Sequence, residues 1–485
     1  MSKSFVFALS LIAIAGAVFA APPARLPVAP MPHLPGERPL PDLTNEDIGI
    51  DPKIELTLPN VERLDQKTVN DKVTQDNVGL PNVTGLKLPG LDPSGFNLPG
   101  FGVPPGVRAD EPKTPPSGPF PGRTGATKTR LLKEAGGNAA SELAVVQGLA
   151  WLARQQQQDG GWKFDAGKTE ERTCATGMAL LPFLAAGVTH KKKEEKDFKG
   201  YDVVVSKGLG FLMKACPLTG ANAGRLSTDV YSNAIAALPL CEAYGMTKDP
   251  ALKPYAQAAV NFIQKTQGPN GSWGYGNTGN GDTSIVGWQV QVLQAAKLSK
   301  DLVVDDKVIA KAVKFLDFTA AGAKKSMYGY NDNAGAAPGT ALTSIGLLSR
   351  YYFNAWGPAH PGMIDGVGGL MKNSPAASGG LKNMYYYYYA TQVVHYFGGD
   401  DWVTWNEGPK AADGTRKGGM RDWFINQQIK KDANNGSWDP EAGFIGSSCG
   451  RLGTTAMCVL TLEVYYRHLP LHKRAADSPK PDDKK

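Results

Sequence analysis

The stretch Phe262-Ile263-Gln264-Lys265-Thr266-Gln267-Gly268-Pro269-Asn270-Gly271-Ser272-Trp273 decides the architecture, because the chain writes its frame twice more. An aromatic-aliphatic pair, a Gln and then Gly-x-Trp recur as Trp151-Leu152…Gln156…Gly160-Gly161-Trp162 and Trp423-Phe424…Gln428…Gly436-Ser437-Trp438. Aligning on the pair gives six units, at Trp151, Phe211, Phe262, Phe315, Leu370 and Trp423, spaced 60, 51, 53, 55 and 53 residues. Units 2, 4 and 5 have lost the Gln and Trp but keep the underlying pattern. A regular period near fifty residues marks a repeat architecture.

Each unit reads as a helical hairpin. In the first segment Leu143, Val146, Leu149, Ala150 and Ala153 recur at three- and four-residue steps, the stripe of an amphipathic helix. Gly160-Gly161 ends it. The second segment is richer in small residues, as in Thr173-Cys174-Ala175-Thr176-Gly177-Met178-Ala179-Leu180, and small side chains let helices approach closely. Placing Thr176, Asn233, Val286 and Thr455 in one column brings Pro182 and Pro239 into register six residues later. An interior proline costs about 3 kcal/mol unless the helix bends to suit, so two in register support the alignment. The same register puts Arg172, Asp229, Asp282 and Arg451 four residues before the column, at the start of these segments. Six hairpins in tandem form either an open solenoid or a closed ring, and the period is compatible with both.

The ends differ from this body. Residues 1–20 read as a signal peptide: Lys3, an apolar run from Phe5 to Phe19, and Val18-Phe19-Ala20 before a cut after Ala20. No later segment approaches twenty apolar residues, so the mature chain is expected to be secreted or periplasmic, without a transmembrane segment. Residues 21–125 hold 21 of the 36 prolines and predict an extended or disordered linker. Residues 126–472 form the repeat domain, and the charged tail 473–485 is expected to fray.

The formal charge of +7 is mild and dispersed. Its one dense run, His190 to Lys199, mixes Lys with Glu, which excludes a nucleic-acid footprint. The five cysteines (Cys174, Cys216, Cys241, Cys449, Cys458) form no CxxC, so no zinc knuckle is expected, and an odd number leaves one thiol unpaired. Their pairing is open in the sequence. Cys174 and Cys449 fall near equivalent helix ends of units 1 and 6, where a bridge would close a ring.

The Gln…Gly-x-Trp units resemble the QW motif of the prenyltransferase and squalene-oxidase repeat, found in squalene–hopene cyclases and in the β-subunits of protein prenyltransferases. The resemblance covers roughly residues 138–472. It implies an all-α fold, an α/α toroid of six hairpins closed into an α6/α6 barrel, with the small-residue helices inside and the motif-bearing helices outside. Met384 to Gln392 with its run Tyr385–Tyr389, Trp402, Trp405-Asn406, Gly450 to Thr455, and Leu462 to Arg467 look like exported bacterial members with no assigned reaction. The motif residues Gln156, Trp162, Gln267, Trp273, Gln428 and Trp438 read as scaffold: each Gln bonds free backbone groups at a helix end, and each Trp stacks on that Gln or the next hairpin.

The catalytic signatures of these relatives are missing from the sequence. There is no Asp-x-Asp-Asp acid, no Asp-x-Cys zinc set, no Asp-Asp-x-x-Asp diphosphate site and no thioester motif. No metal and no cofactor is expected. In the family's toroids the inner-helix N-termini face the cavity mouth, so Arg172, Asp229, Asp282 and Arg451 become candidate mouth residues, with Tyr387 of the tyrosine run and His395. Both Asp residues also suit helix N-caps. Arginines at helix N-termini gain nothing from the helix dipole, so they call for an anion or a partner carboxylate, and Arg172–Asp229 and Arg451–Asp282 ion pairs would satisfy all four residues. The resulting reading is a non-catalytic binding or interaction protein whose mouth holds a lipid, a glycan or an envelope protein. The alternative is an enzyme, either cyclase-like on a lipid or a polysaccharide hydrolase or lyase using mouth carboxylates.

Overall fold

The computed structural model describes residues 119–191, 200–275, 281–468 and 471. The expected signal peptide, the Pro-rich linker up to residue 118 and the tail from 473 lie outside them. A 3₁₀ turn at Pro121–Arg123 and helix α1 (Gly125–Glu134) lead into the repeats. Then come α2 (Ala139–Arg154) and α3 (Arg172–Ala185), α4 (Tyr201–Ala215) and α5 (Val230–Thr247), and α6 (Lys253–Lys265) and α7 (Thr283–Ser299). Next are α8 (Asp306–Thr319), a two-residue antiparallel ladder of β1 (Ala320–Ala321) and β2 (Met327–Tyr328), and α9 (Ala341–Asn354). Helix α10 (Pro361–Met371) passes through the single turn α11 (Pro375–Ser378) to α12 (Met384–Phe397). Helix α13 (Gly399–Glu407), the last hairpin α14 (Met420–Gln427) and α15 (Phe444–Leu462), and the turn α16 (Val464–Arg467) complete the series.

The two layers follow from the two kinds of segment. Helix α8 buries only the stripe Val308, Ile309, Ala312, Phe315, Leu316 and Thr319, so it lies outside. Helix α5 buries every residue from Val230 to Gly245, and α12 buries all fourteen of its residues, so both are enclosed. Close approach is explicit at Gly177, where a Cβ would lie 2.4 Å from the Ile235 carbonyl oxygen of the neighbouring helix. Pro182 and Pro239 both sit inside these inner helices.

Inner helices pack in chain order, α3 on α5, then α7, α9, α12 and α15, and α15 returns onto α3. The ring is closed. The chain is therefore an all-α toroid of six hairpins, and among its described residues no helix is long and apolar enough to cross a membrane.

The Gln…Gly-x-Trp frame is the bracket that sets each hairpin against the next. Gln156 Nε2 donates to Gly160 O (2.8 Å) and to Val204 O of α4 (2.9 Å), and Gln267 Nε2 to Gly271 O (3.0 Å) and Val308 O of α8 (2.8 Å). Gln428 Nε2 repeats this with Gly436 O (2.9 Å) and Ala144 O of α2 (2.8 Å), so the sixth unit clamps the first. Each Trp indole donates back to the aliphatic or second aromatic residue of its own pair: Trp162 to Leu152 O, Trp273 to Ile263 O and Trp438 to Phe424 O. The motif glycine adopts φ near +90° (88°, 89° and 93° at Gly160, Gly271 and Gly436). Its missing Cβ is required twice over, because the atom would meet a carbonyl oxygen of the next outer helix at 2.0–2.6 Å. The expected role of the Gln thus extends beyond its own helix end, and the indole bonds backbone.

Candidate functional site

The inner-helix N-termini gather at one mouth. Asp229 caps α5 by accepting from Ser232 N (2.8 Å), and Asp282 caps α7 by accepting from Ser284 N (2.8 Å), Ile285 N (3.2 Å) and the Ser284 hydroxyl. Asp282 is buried, and burial together with the nearby Asp282 carboxylate raises the pKa of the Tyr330 hydroxyl. The expected Arg172–Asp229 and Arg451–Asp282 pairs do not form. Arg172 instead reaches Asp159 (2.7 and 2.9 Å) and Trp162 O (2.9 Å), and Arg451 reaches Asp439 (2.7 Å) and Ser437 Oγ (3.2 Å). The physical reason is proximity: the motif loop of the same hairpin folds over the start of its inner helix and supplies a carboxylate, while each mouth Asp is committed to its own cap. Both arginine pairs are partly exposed and contribute little to stability.

Arg451 follows a break in α15 at Gly450 (φ 64°, ψ −152°), where the helix restarts. Asp165 from hairpin one caps this restart across the seam, accepting from Arg451 N (3.2 Å) and Leu452 N (3.0 Å).

Tyr387 and His395 do not belong to the mouth. The Tyr387 hydroxyl turns outward to Ser378 Oγ (2.6 Å) and Gly380 O (3.0 Å). His395 packs edge-on to Trp402 of α13 at 4.7 Å, between the layers, and burial lowers its pKa to about 4. In a helix where all faces are buried, the sequence does not mark which positions point to the axis. Tyr385, Tyr388 and Tyr389 are the members of the run that do.

The axis itself is filled. Behind Phe444, which is 44% exposed at the mouth, lie Tyr231 and Tyr385, at ring distances of 6.1 and 5.9 Å. Deeper, Trp288 stacks on Tyr388 at 5.6 Å, and Gln291 accepts from the Tyr388 hydroxyl (2.7 Å). Arg467 of α16 donates to the same hydroxyl (2.9 Å) and lies 3.6 Å from Glu242. Arg123, from the turn before α1, closes the far mouth: it pairs with Glu242 (2.8 Å), donates to Arg467 O (2.9 Å) and Leu184 O (3.3 Å), and covers Phe120 at 4.2 Å. All three charged groups are buried. Burial alone would raise the Glu242 pKa, but Arg123 and Arg467 hold it below the ordinary carboxylate value. Nearby, Glu463 is fully buried, both its oxygens lack a hydrogen bond among the described residues, and burial raises its pKa well above the usual range.

The five cysteines are all free and buried, so the ring closes without the Cys174–Cys449 bridge. Burial, with Cys449 close by, holds the Cys174 thiol well above its ordinary pKa. Among the described residues no group of three or more His, Cys, Asp or Glu could hold a metal ion.

A closed six-hairpin toroid with a capped, aromatic mouth and an ion-paired core is the class that fold and site define. No protein-family model and no curated relative matches the chain. Among solved structures it is similar to a cellobiose 2-epimerase from Spirochaeta thermophila DSM 6192 (12% identity, 70% of this chain and 99% of that one, TM-score 0.47). It is also similar to the GH76A α-1,6-mannanase of Salegentibacter sp. HEL1_6 (12%, 67% and 98%, 0.44) and to a type II terpene cyclase from Scytonema (13%, 67% and 96%, 0.39). All three fall below a TM-score of 0.5, and the closed ring stands on its own helix contacts.

Proposed function

We propose that this chain is an exported, non-catalytic toroid of the prenyltransferase and squalene-oxidase repeat type, holding a lipid, glycan or envelope protein at the mouth formed by its inner-helix N-termini. The supporting observation is the filled axis. The space in which a ring of helices would enclose a substrate is taken by Tyr231, Trp288, Tyr388, Gln291, Arg467 and Glu242. A general acid or base must reach the substrate proton with a pKa near the working pH. Glu242 is locked between two guanidiniums, and His395 is neutral and enclosed against Trp402. The mouth, by contrast, presents a half-exposed ring at Phe444 beside Tyr231, whose face Lys168 covers at 5.8 Å while pairing with Asp229.

The test is native mass spectrometry of the full chain purified from its own cell envelope, combined with incubation in envelope extract. The proposal expects a bound species recovered at unchanged mass, with occupancy lost in Phe444→Ser and Lys168→Glu. Time-dependent conversion of an extract component by the purified chain would overturn it in favour of the enzyme reading.

A further inference from the structure

We infer that the rim between the third and fourth hairpins binds a neutral saccharide ring. A half-open cavity of about 350 Å³ lies there, lined by Asn270 and Gly281 of the α6–α7 connection, Phe318 at the end of α8 and Asn331 of the α8–α9 connection. Its size falls at the small end of the range of ligand sites.

The lining chemistry is specific. Phe318 is 61% exposed and offers a flat apolar face. Asn270 spends its carbonyl oxygen on Ser272 N (3.0 Å) and Ser272 Oγ (2.7 Å), which leaves its amide N–H groups to donate. Among the described residues the Asn331 side chain makes no hydrogen bond, so it can donate and accept. A pyranose presents the complement: a face of C–H groups for the ring, and hydroxyls that both donate and accept for the amides. The four lining residues carry no charge, so a phosphate or carboxylate finds no counter-ion among them. An acyl chain would offer neither amide a hydrogen-bond partner.

Comparison with the sister repeats explains why the cavity is here. Aligned on Gly-x-Trp, Asn270 occupies the position of Asp159. In the first unit that side chain is covered by Arg172, whose guanidinium also lies over Phe211 at 5.1 Å. In the sixth unit Arg451 covers Ser437 and Asp439 in the same way. In the third unit the equivalent position is Asp282, which turns back to cap its own helix. Among the described residues no arginine covers this motif loop, and its Asn270-Gly271-Ser272 turn becomes a wall of the cavity. Ser272 Oγ fixes the floor by accepting from Gly281 N (2.8 Å).

The site is on the rim and does not depend on the axis being inert, so it stands or falls separately from the proposed function. The test is saturation-transfer NMR of the full chain with four probes, the methyl glycosides of glucose, galactose, mannose and N-acetylglucosamine, and with inorganic phosphate observed by ³¹P line broadening. Transfer to the ring C–H protons of at least one glycoside is expected, with binding about tenfold weaker in Phe318→Ala and in Asn331→Ala. Both positions are at the surface, and circular dichroism verifies that the variants fold. Transfer to none of the four glycosides, equal transfer in wild type and both variants, or a response to phosphate alone would each overturn the inference.

Discussion

Replacing Gln428 with alanine probes the seam between the last hairpin and the first. The wild-type amide makes two hydrogen bonds, to Gly436 O at 2.9 Å and Ala144 O at 2.8 Å, and the side chain is 3% exposed. A net hydrogen bond contributes about 1 kcal/mol, so the two together give about 2 kcal/mol. Loss of the packed methylenes adds to the cost, so this figure is a lower bound for the variant. Gln156→Ala and Gln267→Ala remove the same pair of bonds between hairpins that are consecutive in the chain. In an open solenoid, Gln428 would have no seventh hairpin to hold, and its loss would be close to neutral. In a closed ring, all three variants cost about the same. Urea unfolding monitored by circular dichroism measures this through the midpoints at a common slope. A Gln428→Ala midpoint equal to wild type, beside clear losses at Gln156 and Gln267, would refute ring closure through the clamp.

Two further predictions concern pH. His395 has its pKa lowered to about 4 by burial, against 6.5 for the ordinary side chain. A depressed base contributes stability present above pH 6.5 and lost as pH falls through 4, amounting to about 3 kcal/mol across that window. His395→Phe should therefore lose less stability than wild type between pH 6.5 and 4, and parallel urea curves in that range would contradict the burial of the ring. Glu463 behaves oppositely, since burial raises its pKa well above the ordinary 4.5 despite Lys128, Arg467 and Arg123 nearby, with Glu142 adding to the rise. Its stability contribution is full below pH 4.5 and is lost as pH rises, at a slope of up to about 1.4 kcal/mol per pH unit. Glu463→Gln should match wild type at acid pH and exceed it increasingly towards pH 8, and a stability difference that shrinks with rising pH would show the carboxyl to be ionised in the fold.

The hairpins and the two layers were legible because each is local or periodic, whereas the clamp of each motif Gln onto the next outer helix depends on how the hairpins pack around the ring and was not. The helical stripe seen at Leu143–Ala153 reports a hairpin that repeats six times, and the Gln–Gly–Trp frame fixes its register in three of the six. The caps at Asp229 and Asp282 were legible for the same reason. The arginines were misassigned because their partners, Asp159 and Asp439, stand on opposite sides of the motif Trp and share no column. The tyrosine run gave no direction, since five consecutive helical residues cover every face. The filled axis lay beyond sequence reading altogether. Arg123 is 119 residues from Glu242 and 344 from Arg467, and it belongs to a turn that precedes the first repeat. No period relates such residues; only the closed ring brings them together.

The most direct measurement is the coupling energy between Arg123 and Glu242, obtained from a double-mutant cycle of Arg123→Met and Glu242→Gln in urea unfolding at low and high salt. With the axis filled and both groups buried at 2.8 Å, the cycle should give a coupling of about 2 kcal/mol or more that salt leaves unchanged. A coupling near zero, or one that disappears in high salt, would mean that water fills the centre of the ring.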